Sequence, residues 1–193
     1  MNSEVLDVDM LAFERGSSNT KQAVVDGVMK SLETGFVYTS HDMSQDFLDE
    51  VYGMLGEFFS KSTPQKETAK AEGTNGQRGY TGLLVETAAI SDVPDWKEML
   101  NWGKDIPTGH PLKKRYPHRF FNNVFPEDLV PGITGTLEKF HDQVLDLQLR
   151  FLRIIASGLK ASETFFDSFV PGGATLTRAI NYPAMNLAPA ENH

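Results

Sequence analysis

The sequence predicts a mixed α/β (α+β) chain, on three observations. Short β-patterned stretches lie near both ends, amphipathic helical stretches cluster between them, and a Pro- and aromatic-rich connection without periodicity precedes the longest helix. Helices that cluster instead of alternating with strands argue against a doubly wound sheet. The last strand also begins a sheet that the chain is not expected to finish.

The elements follow in order. Residues 4–12 alternate apolar and acidic side chains from Val5 to Asp9 and suit a short strand. After the turn-rich Gly16 to Asn19, the spacing of Ala23, Val24, Val28 and Leu32 predicts a helix, with Gly35 at its C-terminal end. Phe36 to Thr39 reads as a second strand. A helix starting near Ser44 carries Phe47, Leu48, Val51, Leu55, Phe58 and Phe59 on one stripe. Thr63-Pro64 starts another, with Pro at the first helical position. Glu72 to Gly82 is glycine-rich and reads as loop.

Residues 94–131 read as a packed irregular connection, because Trp96, Trp102, Tyr116, Phe120 and Phe121 call for burial. The longest helix is expected over Ile133 to Leu159, followed by a short helix at Ser162 to Phe169 and a Pro-Gly-Gly turn. Thr175 to Tyr182 then reads as a strand with Leu176, Arg178, Ile180 and Tyr182 on one face.

At 193 residues the chain can bury one core, with or without a helical appendage. A net charge of -8 disfavours nucleic acid, which needs clustered Lys and Arg. The one basic cluster, Lys113-Lys114-Arg115 with Arg119, reads as a solvated loop edge. The chain has no cysteine, hence no disulfide framework or thiolate metal site. No secretory leader is visible and no stretch reaches the ~18–20 apolar residues of a membrane span. The expectation is a soluble, cytoplasmic protein with no membrane or nucleic-acid partner.

No phosphate-binding glycine loop and no His-Glu-x-x-His occurs. The five histidines are His41, His110, His118, His141 and His193. His41-Asp42 reads as a turn and His141 as a helix-surface residue. His110 and His118 flank the basic loop. An unrelated metal enzyme using His110, His118 or His141 stays open as a weaker reading. No catalytic and no metal-binding residue is assigned.

Three stretches are more informative. Gly35-Phe36-Val37-Tyr38-Thr39-Ser40-His41-Asp42 leads to a helix ending Phe58-Phe59, then Thr63-Pro64-Gln65-Lys66-Glu67. Gln77-Arg78-Gly79-Tyr80 precedes Asp95-Trp96-Lys97-Glu98. After the long helix comes Arg178-Ala179-Ile180-Asn181-Tyr182-Pro183. In this order, over about residues 4–185, the chain resembles the isopenicillin N synthase-like family of non-haem Fe(II)/2-oxoglutarate-dependent oxygenases. Ser40-His41-Asp42 departs from that family's Asn-His-Gly and removes a turn glycine.

The resemblance implies the N-terminal helix and strand layer of a double-stranded β-helix (jelly-roll) oxygenase, with most of the roll missing. Residues 1–130 would be the N-terminal α/β region, and 131–193 the core helix and first strand of the truncated roll. It implies Fe(II) and 2-oxoglutarate as cofactors and a small-molecule substrate that is hydroxylated, desaturated or cyclised.

It also implies that Arg78, Arg178 and Tyr182 bind substrate or co-substrate, since guanidinium and phenol suit a carboxylate. From the residues alone, Arg178 could equally salt-bridge a protein carboxylate, Tyr182 be a core aromatic, and Arg78 a solvent-exposed loop arginine. The family's His-x-Asp normally follows the Tyr-Pro strand; here the residues two places after His41, His110, His118 and His141 are Met43, Leu112, Phe120 and Gln143. The chain alone is therefore expected to be inactive, and to self-associate or pair with the missing C-terminal part. The rival expectation is a non-catalytic interaction module pairing through an exposed sheet edge.

Overall fold

In a computed structural model that describes residues 5–87, 92–170 and 172–184, the first strand, β1, is only Leu6–Val8. Asp9, the last acid of the alternating stretch, ends it: its carboxylate accepts from the Ala12 amide at 3.1 Å and caps helix α1, Met10–Arg15. The strand expected through residue 12 therefore gives way to helix at Met10. Glu4 at its start, Pro171 of the expected turn and the terminal His193 lie outside the described residues.

The chain divides into two compact units, Met1–Gln45 with Asp142–Gly173, and Asp46–His141 with Ala174–His193. In the first, β1 pairs in parallel with β2, Val37–Thr39, with Leu6 opposite Val37 and Val8 opposite Thr39. Parallel neighbours need a crossover, and α1 with α2, Ser18–Ser31, supply it. Ser17 caps α2 through the Thr20 amide. Val8, Phe13, Val24, Val28 and Ile154 are buried together, the last from the long helix α6, Ile133–Gly158. Each such side chain contributes roughly 1.5–3 kcal/mol over exposure.

In the second unit the expected stripe of α3, Gln45–Ser60, buries Phe47, Val51, Leu55 and Phe58. Helix α4, Thr63–Glu67, begins at the expected Pro, with Ser62 at the cap. Ile133 and Leu137 of α6 join this core. A three-stranded antiparallel sheet completes it: β3, Gly79–Thr81; β4, Glu98–Trp102; β5, Thr177–Asn181.

Two of these strands fall where loop or irregular chain was expected. Every residue of β3 and β4 is buried, so neither shows the alternation that marks a half-exposed strand. Gly79 explains why a glycine-rich segment can pair at all. Its φ is +69°, and a Cβ there would stand 2.4 Å from the Ala69 carbonyl oxygen. A short helix α5, Pro111–Arg115, also lies in the stretch expected to be irregular, with His110 as its cap. Trp102 and Phe120 are buried as expected, whereas Tyr116 is exposed.

Candidate functional site

Strand β4 organises the site. One side of the sheet carries Tyr80, Leu100, Trp102 and Ala179 into the helical core. Trp102 Nε1 donates to the Leu137 carbonyl of α6 at 3.0 Å. Glu98, 2% exposed, lies in a fully buried cluster. It accepts from Lys66 Nζ at 2.9 Å, from the Tyr80 hydroxyl at 2.5 Å and from Asn181 Nδ2 at 2.9 Å. Burial pushes the Glu98 carboxyl up, but the bonds from Lys66, Tyr80 and Asn181 outweigh this and hold it below the ordinary carboxylate value. Burial, then the Glu98 bond, push the Tyr80 phenol well above its usual range.

The opposite side presents Leu176, Arg178, Ile180 and Tyr182 of β5, all exposed and on one face as the alternation requires. Arg178 stands opposite Asn101 of β4. Its Nε donates to Asn101 Oδ1 at 3.1 Å, and its Nη1 pairs with Glu86 at 3.3 Å. Asn101 is buried and donates in turn to the Gly76 carbonyl at 2.7 Å. Lys97 Nζ, 2.6 Å from Glu86, pulls that carboxyl below its usual range.

The three sequence-derived candidates therefore fare differently. Arg178 makes the protein ion pair that its residue type allowed. Tyr182 is 68% exposed and is not a core aromatic. Arg78 is 3% exposed, and so is not the solvent-facing loop arginine its glycine-rich setting suggested. Its guanidinium donates to the Gln77 and Thr175 carbonyls and lies against Gly103, while Nε is buried without a partner. Burial lowers the Arg78 pKa, opposed by the charge of Asp105.

Arg78 and Glu86 line one cavity of about 280 Å³ together with Glu67, Tyr80, Thr81 and Met99. Arg78 and Arg178 thus share Glu86 as a common neighbour. Tyr182 lies four residues beyond Arg178, about 13 Å along an extended strand.

His141 is also corrected: it is 2% exposed, not on the helix surface. Its Nδ1 is 2.6 Å from the Thr177 hydroxyl and its Nε2 2.9 Å from that of Thr175. The helical pattern placed it beside the apolar stripe but could not reveal two threonines more than thirty residues away. Glu98 and Lys66 were missed as well, although an acid opening the run Glu98-Met99-Leu100-Asn101-Trp102 signals a buried charge that needs a partner. Among the described residues no group of three His, Asp or Glu side chains is placed to hold a metal ion. His110 Nδ1 accepts from the Leu112 amide as a helix cap, and His118 is exposed. The described residues do not fit an iron ion. No helix among them is long and apolar enough to cross a membrane.

A helical layer against an antiparallel sheet whose last strand carries an arginine and a tyrosine on its open face defines the N-terminal region of a double-stranded β-helix oxygenase. Residues 5–128 match the family described as non-haem dioxygenase in morphine synthesis, N-terminal. The chain belongs to this family of non-haem dioxygenases, in agreement with its resemblance to the isopenicillin N synthase-like oxygenases.

A 2-oxoglutarate-dependent dioxygenase of Aspergillus niger is 26% identical over 184 residues, 93% of this chain and 56% of that protein. Azadirone synthase of Melia azedarach is 30% identical over 142 residues, 70% of this chain and 40% of that protein. Among solved structures, a 2OG-Fe(II) oxygenase family protein of Caulobacter crescentus superposes with a TM-score of 0.81 at 25% identity. It is matched over 97% of this chain and 59% of its own. A full-length Neurospora crassa protein, solved in complex with alpha-KG, gives 0.76 at 26% identity over 95% of this chain and 56% of its own. The chain thus spans about half the length of the curated relatives it matches. These likenesses do not favour a free-standing interaction module.

Proposed function

We propose that these residues are the N-terminal portion of an Fe(II)/2-oxoglutarate-dependent oxygenase that hydroxylates, desaturates or cyclises a small molecule. The observation that carries this reading is the open face of β5, where Arg178 and Tyr182 alternate with the exposed apolar Leu176 and Ile180. Such a face offers a cation and a phenol for a carboxylate beside apolar surface for a carbon skeleton. The Neurospora crassa relative, solved with alpha-KG and thymine, supports a small-molecule ligand of this kind.

Arg178 and Tyr182 are too far apart along the strand to grip one small carboxylate from the same end. Arg178 would hold a carboxylate by releasing Glu86, and Tyr182 would donate to a second acceptor further along. Arg78, committed to two backbone carbonyls, would meet ligand only through its Nε side and the cavity it shares with Glu86. Because the described residues do not fit Fe(II), the metal chemistry of the class is not assigned to them, and the 193-residue chain alone is not expected to turn over. Cytoplasmic residence suits a cysteine-free chain. Self-association, or pairing with the C-terminal part of the roll, would cover the open face.

The test is succinate release with Fe(II) and 2-oxoglutarate. The verified 193-residue chain should give none, whereas the gene product including a His-x-Asp segment should give it. In that product Arg178→Ala and Tyr182→Phe should raise the KM for 2-oxoglutarate or substrate. Iron-dependent turnover by the 193-residue chain, or unaltered kinetics in both variants, would overturn the reading.

A further inference from the structure

The hydrophobic pattern of β5 is inverted. Its outward set, Leu176, Ile180 and Tyr182, is large and apolar apart from Arg178. Its inward set, Thr175, Thr177, Ala179 and Asn181, is small or polar and half-buried. A one-residue slip against β4 would exchange the two sets. Burial of apolar area alone would favour that slip, since it would move Leu176, Ile180 and Tyr182 toward the helical core. Something other than hydrophobic burial must hold the observed register.

We infer that two buried polar clasps hold it, and that His141 and Glu98 are positioning residues that decide which face presents Arg178 and Tyr182. At the start of β5, the imidazole of His141 reaches both Thr175 and Thr177 hydroxyls, at 2.9 and 2.6 Å. The same Thr175 receives Arg78 on its carbonyl at 3.4 Å. At the far end Glu98 Oε1 accepts from Asn181 Nδ2 at 2.9 Å, with Lys66 completing the carboxylate. Between the clasps Ala179 packs on the core.

After a slip, Leu176 or Ile180 would face groups that need hydrogen-bond partners, leaving His141 and one Glu98 oxygen short of them. An unsatisfied buried polar group costs more than the bond it replaces gains, which reverses the preference set by apolar area. Both imidazole tautomers satisfy the threonines, because a hydroxyl can donate or accept. The clasp is therefore indifferent to which ring nitrogen carries the proton. This inference rests on the reading of Arg178 and Tyr182 as ligand contacts; the clasps themselves do not.

The chain has no cysteine, so single introduced thiols report faces cleanly. Ile180→Cys (outward) and Ala179→Cys (inward) are made in the full chain and labelled with a maleimide, giving a rate ratio expected above about ten. Adding His141→Leu, or Asn181→Leu, should bring the ratio near one or invert it. His141→Gln, which keeps a donor and an acceptor, should restore it. Asn181 is chosen over Glu98 because removing the carboxylate would strand Lys66 in the interior.

Leu100→Cys, on fully buried β4, is the folding control. It should stay protected in every variant. A ratio unchanged by both leucine variants, no recovery with His141→Gln, or loss of Leu100→Cys protection would overturn the inference; the last would mean that the clasps hold the sheet together and not its register. Labelling needs neither iron nor 2-oxoglutarate, so its outcome is independent of the succinate assay.

Discussion

Lys66 Nζ lies 2.7 Å from Glu98 Oε2, and both side chains are shielded from solvent, at 7% and 2% exposure. The ammonium also donates to the Phe59 carbonyl at 3.1 Å, and the carboxylate takes two further bonds, so each charge is met on more than one side. Breaking such a pair leaves one uncompensated buried charge. Lys66→Met should therefore lower unfolding stability by about 3–5 kcal/mol. Lys66→Met combined with Glu98→Leu should cost less than the sum of the single changes, read in urea unfolding as a double-mutant cycle.

The same carboxylate gives a pH dependence with a fixed sign. The Glu98 pKa is lowered on folding, against its burial, by Lys66, Tyr80 and Asn181. A depressed folded pKa contributes stability that is present above the unfolded value, about 4.3, and is lost as pH falls through the folded one. Stability should thus fall on acidification below about pH 5. Asp42 and Glu86, lowered chiefly by bonds from Arg150 and Lys97, act in the same direction. Glu98→Gln should flatten the acid limb of the denaturation midpoint without abolishing it.

Gly103 and Gly53 should respond oppositely to alanine. A Cβ on Gly103 would stand 2.1 Å from the Thr175 carbonyl oxygen and 2.4 Å from Arg78 Nη2. Its backbone cannot retreat freely, because Asn123 bonds both its N–H and its carbonyl, at 2.9 and 2.8 Å. Gly103→Ala should destabilise by about 3 kcal/mol, at the upper end of overpacking. Gly53 lies within α3 with nothing within 4 Å of its added methyl. Gly53→Ala should stabilise by up to about 1 kcal/mol. Thermal unfolding of the two variants side by side checks both.

Arg150 makes a forked pair with Glu14, with Nη2 at 2.9 Å from Oε2, and its Nη1 reaches Asp42 at 2.8 Å. The bonds from Glu14 and Asp42 push its pKa well up. Lysine cannot reproduce the fork. Arg150→Lys should lose about 1 kcal/mol at low salt, and less at 1 M, where screening weakens partly exposed pairs. A loss that is independent of salt would assign the effect to packing of the side-chain stem.

Elements with a local signal were legible in the residues before any coordinates. The stripe of Phe47, Val51, Leu55 and Phe58 marked α3, Thr63-Pro64 marked the start of α4, and alternation placed Leu176, Arg178, Ile180 and Tyr182 on one face of the last strand. The ordered motifs also identified the family, since they record short-range chemistry that survives without coordinates.

Features that depend on distant partners emerged only in the folded chain. Strands β3 and β4 were hidden because chain buried on both faces has no alternation to read. His141 passed for a surface residue because its threonines are contributed by β5 and the residues just before it. Arg78 passed for an exposed loop residue because its carbonyl partner, Thr175, lies 97 positions further on. The face of β5 that meets the core could not be read from polarity at all. There the more apolar side points outward, and the buried hydrogen bonds inferred to set the register leave no periodic trace in the sequence.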